Sequence, residues 1–142
     1  MKIASVLARK GSQIATVLPD QTIHDAVVLL AARNIGALIV VDASGHPQGI
    51  ISERDIVREL ARGGNVDTQP ISALMTTKVI YGAPEDDVEA VLRKMTRDHF
   101  RHLPIMDEGE LAGMVTTADL ANAQLSHFKG HADTLEAQLL DQ

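Results

Sequence analysis

The 142-residue sequence predicts an α+β fold: two pseudo-symmetric β-α-β-β-α repeats packed as one module, followed by a C-terminal helix. Three observations carry this expectation. The stretch GIISERDIV, Gly49 to Val57, returns almost unchanged in type as GMVTTADLA, Gly113 to Ala121. Pro19, Ile23, Ala26, Leu30, Leu38, Val40 and Asp42 fall on Pro84, Val88, Val91, Met95, Leu103, Ile105 and Asp107 at a constant offset of 65, and Gly49, Ser52 and Asp55 fall on Gly113, Thr116 and Asp119 at 64. A period this long suits two pseudo-symmetric modules rather than a thin solenoid. Because a module of roughly 60 residues buries too little surface to be robust alone, each copy needs the other.

The elements follow in order. Residues 14–18 and 79–82 read as short strands. Thr22 to Arg33 and Asp87 to His99 carry apolar positions at helical spacing, with Thr22 and Asp87 as N-caps. ALIVVD (37–42) and HLPIMD (102–107) are β-prone runs stopped by the turns ASGHPQG and EGELAG. GIIS and GMVT return as strands, and a helix begins at the hydroxyl residue of each. A short helical lead precedes each copy, IASVL at 3–7 resembling ISALM at 71–75. RGGNVDTQP (62–70) breaks the helix begun at Ser52 and serves as linker. The expected division is therefore a first repeat at 1–63, a linker at 64–69, a second repeat at 70–125 and a helical tail at 126–142. In that tail Leu125, Phe128, Ala132, Leu135 and Leu139 are spaced 3, 4, 3 and 4, an amphipathic stripe that Gly130 weakens locally. The stripe suits either a cap over the chain's own core or a contact between two copies.

Composition narrows the function. Hydrophobic residues make up 45% and charged residues 23%, the balance of a globular protein. The longest apolar run, Ala37 to Val41, is far short of a bilayer span, and the opening MKIASVLARKG is too short for a signal peptide, which together point to a cytoplasmic protein without a membrane partner. The absence of cysteine removes disulfides and thiol chemistry and agrees with a reducing compartment. A net charge of −6, with Tyr81, Phe100 and Phe128 as the only aromatics, argues against a nucleic-acid surface. There is no Walker-type lysine loop, GxSxG elbow or metal-ligand cluster, so no enzyme is expected. His127 and His131 sit four apart, but no third ligand is evident nearby except Asp133 or Glu136, and a solvated helix face explains them better.

Ser52-x-x-Asp55 and Thr116-x-x-Asp119 admit two readings. As capping boxes, the hydroxyl accepts a first-turn N–H and the carboxylate reaches back to the cap, although Asp is shorter than the usual Glu and should reach less well. As a binding element, the same helix N-terminus offers N–H groups and a hydroxyl to phosphate, while the carboxylate accepts both hydroxyls of a ribose. The sequence leaves both open.

Two copies of G-h-h-[ST]-x-x-D-h, where h is apolar, the second preceded by RHLPIMDEGELAG, resemble a tandem pair of cystathionine-β-synthase (CBS) domains, or Bateman module, over roughly residues 2 to 125. The resemblance implies a regulatory module binding an adenosine-containing nucleotide (AMP, ATP or NAD(H), with S-adenosylmethionine a further candidate) in the cleft between its repeats, paired as a homodimer and read by an effector protein, with no catalytic cofactor. It implies that Asp55 and Asp119 hold ribose and that Ser52, Thr116 and Thr117 face phosphate. The segment containing Arg101, His102 and Pro104 would border adenine and phosphate, and Thr16 and Ile80 would line the base. In the first copy Gly36, Ala37, Leu38 and Ile39 replace Arg101 to Pro104, and Arg54 stands where the second has Ala118. Two unequal sites are expected, the second the tighter for a phosphate-bearing ligand. The rival readings are a structural dimerisation module whose motifs only cap helices, and a small hydrolase or transferase acting on nucleotides with Asp55 or Asp119 as base.

Overall fold

The computed structural model describes residues 1–11 and 14–140. Its elements are α1 (Ile3–Lys10), β1 (Thr16–Val17), α2 (Ile23–Arg33), β2 (Ala37–Val41), β3 (Pro47–Ser52), α3 (Glu53–Ala61), a 3-10 turn (Ile71–Ala73), α4 (Val88–Asp98), β4 (His102–Asp107), β5 (Glu110–Thr116) and α5 (Thr117–Leu140). The α+β class and the repeated order agree with the sequence. Two compact units result. One gathers β1, α2, β2, β3, α3 and the 3-10 turn; the other gathers α1, α4, β4, α5 and most of β5.

In the first of these, Thr22 caps α2 and Asn34 ends it in the left-handed conformation at φ 52°. That residue's short polar side chain tolerates a conformation most residues avoid. The β-branched run of β2 then forms the middle of a three-stranded sheet, parallel to β1 and antiparallel to β3. The sheet and helices enclose Val17, Ile23, Leu30, Leu38, Val40, Ile51, Ile56 and Ile71. The second unit repeats this with Asp87 capping α4, His99 ending it at φ 60°, and a β4–β5 hairpin. Its core, with Ile3, Val88, Met95, Leu103, Ile105, Val115 and Leu120, matches the first at every one of these positions but that of Val17.

The two lead segments reveal how each unit is completed. Ile71 and Ser72 donate their backbone N–H groups to Gln21 O and Pro19 O, while Ile3 and Ala4 donate to Asp86 O and Pro84 O, the same acceptors shifted by 65. The lead at the start of the chain therefore completes the core of the second repeat, and the lead after the linker completes that of the first. Each lead also lies across the glycine that opens G-h-h-[ST]. A Cβ on Gly49 would stand 2.6 Å from Thr76 O and 3.1 Å from Met75 Sδ; one on Gly113 would stand 2.7 Å from Leu7 Cδ2. The glycine recurs because another segment crosses it at contact distance.

One expected element is smaller than the sequence suggests. Residues 79–82 form only a single parallel bridge, Gly82 with Ile105, where β1 makes a two-residue ladder. Gly82 stands at the position of Val17 and has no side chain to bury. Leu103 Cδ2 comes within 2.8 Å of where its Cβ would be, so the core closes over bare backbone.

The two glycines differ in what a side chain would meet, and this sets an expectation. Gly49→Ala drives a methyl into a backbone carbonyl and should cost roughly 1–3 kcal/mol, whereas Gly113→Ala meets the end of a rotatable leucine and should cost less. Urea unfolding of the two variants checks the order; equal losses would contradict the account.

Candidate functional site

The site residues gather at the N-termini of α3 and α5. Ser52 ends β3 in an extended conformation (φ −115°, ψ 160°) and caps α3. The Asp55 N–H donates to Ser52 Oγ at 3.3 Å, and Asp55 Oδ2 accepts from the Ser52 N–H and Oγ–H, both at 2.9 Å. In α5 the Asp119 N–H donates to Thr116 Oγ1 at 3.0 Å, and Asp119 Oδ2 accepts from the Thr116 N–H at 2.9 Å. The expectation that an aspartate reaches back poorly is therefore corrected, since the extended cap turns its N–H toward the first turn. The same box joins Thr22 and Asp25 at α2, both bonds at 3.1 Å. Capping is thus a property of all three helices and by itself marks no ligand site.

What sets α3 and α5 apart from α2 is the segment that meets the helix start, since the first N–H of α2, that of Ile23, bonds to Gln69 O in the linker at 2.9 Å. In α3 and α5 the first helical N–H is taken by a loop carbonyl, Glu53 to Gly36 O at 2.9 Å and Thr117 to Arg101 O at 3.1 Å. This brings the segment before β2 or β4 against the helix start. As with Asp25 at α2, the capping bonds of Asp55 and Asp119 all fall on Oδ2; among the described residues no hydrogen bond reaches Oδ1 of either. Each carboxylate therefore keeps an acceptor beside the positive end of a helix.

The remaining sequence-selected residues are distributed as follows. Arg101, Thr116, Thr117 and Asp119 are brought together at the start of α5, with the Arg101 side chain exposed and Thr117 half-buried. His102 is half-buried at the start of β4. Pro104 is buried, and its carbonyl accepts from Gly82 N–H at 2.9 Å. Around α3, Arg54 is exposed in the first turn and Ala37 pairs with Ser52 in the ladder. The Leu38 side chain is enclosed in the core. Thr16 and Ile80 are exposed.

Sequence reasoning missed Lys10. From the last turn of α1 its Nζ donates to Asp119 Oδ2 at 2.6 Å and to Met114 O at 2.8 Å. Partial burial pushes the Asp119 carboxyl up, but the Lys10 hydrogen bond and charge, with the Thr116 backbone bond, outweigh it and hold the group below the ordinary carboxylate range. In the other unit the carbonyl equivalent to Met114 O, Ile50 O, is taken by the backbone N–H of Thr76. Lys78, which matches Lys10 in the lead alignment, is exposed, and among the described residues no ion pair joins it to Asp55. The likeness of IASVL to ISALM pairs these lysines in the sequence, but does not say which repeat each lead joins.

An open groove lined by Glu89, Leu92, Arg93, Thr96, Arg97 and Gln124 lies along α4 and α5 and includes neither [ST]xxD element. Among the described residues no group of three or more His, Asp or Glu is placed to hold a metal ion, and no helix is long and apolar enough to cross a membrane.

Comparison with known proteins places this geometry. The chain is 35% identical over 125 residues to the CBS domain-containing protein YhcV of Bacillus subtilis, covering 88% of this chain and 89% of that one. Its fold is similar to that of the CBS-domain containing protein ATU1752 from Agrobacterium tumefaciens, with TM-score 0.83, 35% identity and coverage of 87% and 99% of the two chains. It is also similar to the CBS domain pair of MJ0100, solved in complex with 5′-methylthioadenosine and S-adenosyl-L-methionine, with TM-score 0.79, 26% identity and coverage of 89% and 98%. The CBS domain model matches twice, at residues 6–62 and 71–126, each match taking in one of the two capped helix starts, and the chain belongs to the CBS domain family.

Proposed function

We propose that the chain is a regulatory module, not an enzyme, that binds an adenosine-containing ligand (AMP, ATP or NAD(H)) at its [ST]xxD elements and acts as a cytoplasmic homodimer on an effector protein. The observation that carries this reading is the division of labour within each carboxylate, which Asp25 at α2 shares, combined with the segment before β2 or β4 that α3 and α5 hold against the helix start. Oδ2 completes the cap while Oδ1 stays available beside a hydroxyl, a helix N-terminus and a preceding loop. A ribose diol needs such an acceptor, and a phosphate needs such a helix end. The adenosine-bearing ligands of the MJ0100 pair support the same class, and the absence of cysteine suits the cytoplasm.

The two elements are electrostatically unequal. At α5, Lys10 adds a cation to Arg101; at α3, Gly36 replaces Arg101 and Arg54 is the nearby cation in the first turn. Lys10 draws on the charge of Asp119 through Oδ2, which makes the carboxylate a weaker acceptor for the ribose of a neutral nucleoside. A phosphate-bearing ligand offers the lysine a new partner.

Asp119→Asn keeps the capping acceptor and loses the charge. It should lower affinity for AMP at the second repeat by roughly 1.5–3 kcal/mol, tenfold or more, with only about 0.3–1 kcal/mol lost in stability. Titration calorimetry and thermal melting decide; a variant that binds AMP, ATP and NAD as the wild type does while melting earlier would leave capping as the motif's only role. Lys10→Met should strengthen adenosine binding and weaken AMP binding, so that the AMP-to-adenosine preference falls by about tenfold, as expected where a partly exposed ion pair opposes one ligand and favours the other. An unchanged preference would remove Lys10 from ligand selection.

A further inference from the structure

The α5 helix carries two apolar faces, and the domain uses one. Leu120 and Ala123 bury in the core with Val88, Met95 and Leu103. Leu125, Phe128, Leu135 and Leu139 remain 68%, 60%, 47% and 70% exposed, with Ala132 exposed between them. The helix nevertheless runs unbroken from Thr117 to Leu140, through Gly130. Spacing of 3 and 4 in strict alternation averages 3.5 residues, the period of a two-stranded coiled-coil seam, narrower than the stripe of a helix lying on a domain.

We propose that this seam pairs with the same seam of a second copy, antiparallel, about a two-fold axis passing between Asp133 and Thr134. Size complementarity supports the register. Ala132 then faces Leu135 of the second copy, and Phe128 faces Leu139, so small meets large and the four layers repeat by symmetry, as an isologous contact requires. Charge supports the direction. Lys129 and Glu136 each follow a seam residue by four positions and so lie on the same flank. Antiparallel helices bring identical flanks together, so each Lys129 meets Glu136 of the other copy, twice per dimer. Parallel helices would instead set Lys129 against Gln124 and Glu136 against His131. Antiparallel helix dipoles favour the same choice.

Two further features fit. Gly130 falls on the side of the helix directed away from the seam, and nothing lies within 4 Å of the place its Cβ would occupy. The start of α5 is already held in its own domain by Leu120 and Ala123, so the costly nucleation of the helix is complete before the tails meet. The free part, Leu125 to Leu140, spans roughly 24 Å at 1.5 Å per residue, enough for about two heptads and a reversible, concentration-dependent dimer.

Sedimentation equilibrium of the full chain, with Leu135→Asp, Lys129→Glu and the double exchange Lys129→Glu/Glu136→Lys, tests the proposal. Leu135→Asp should weaken the dimer at least tenfold while AMP binding per chain stays at the wild-type level. Lys129→Glu should weaken it several-fold, and the double exchange should restore it to within about twofold. A Leu135→Asp chain that dimerises as tightly as the wild type overturns the tail contact while leaving dimerisation elsewhere intact. A double exchange as weak as the single one overturns the antiparallel register. A wild-type chain that stays monomeric throughout the micromolar range overturns both the seam and the homodimer, whatever its nucleotide affinity.

Discussion

The close approach of a lead segment to a strand glycine is the contact on which both units depend. At Gly49 and Gly113 a neighbouring segment passes where a side chain would otherwise be, and the apolar residues of that segment, Ile71 in one unit and Ile3 in the other, fill the core beneath. A larger residue at either position would hold the lead away and open the space it seals. The arrangement also fixes the strand that runs into α3 or α5, because the glycine lies three residues before the capping hydroxyl. Packing and site geometry thus share one short stretch of chain.

Within this shared scaffold the two units diverge mainly in charge. The backbone acceptors that receive each lead are equivalent, yet one lead continues as α1 and delivers Lys10 to a carboxylate, while the other leaves its 3-10 turn and runs extended through Thr76. A difference in the secondary structure of a remote segment is converted into a difference in electrostatics at Asp119 and Asp55. Duplicated modules can specialise in this way without altering the residues that define their motif.

Much of this was legible in the sequence because repetition turns weak signals into strong ones. Helix caps at Thr22, Asp87 and Ser52, the paired hairpins and the equivalence of the two cores follow from residue type and a constant offset. What escaped depends on three-dimensional proximity. Lys10 lies 109 positions from Asp119, and nothing in the period of a lead tells which repeat it will join. The shrinkage of the strand at 79–82 reflects neighbouring side chains filling the space above Gly82, which no local propensity encodes. The reach of Asp55 and Asp119 back to their caps exceeds what side-chain length alone suggests, because the extended backbone of the capping residue closes the remaining distance.

The crossing of the leads also imposes an order on synthesis. The unit containing the first repeat has all its core residues once the chain has emerged through Ile71, and its last pairing contact by Thr76. The other needs Ile3 and Val6 from the beginning together with Val115 and Leu120 from near the end. At roughly 5–20 residues per second, α1 waits on the order of 5–20 s with its apolar face exposed before its partners leave the ribosome. One half of the molecule can fold as it is made, and the other can only be closed by a segment made long before its partners.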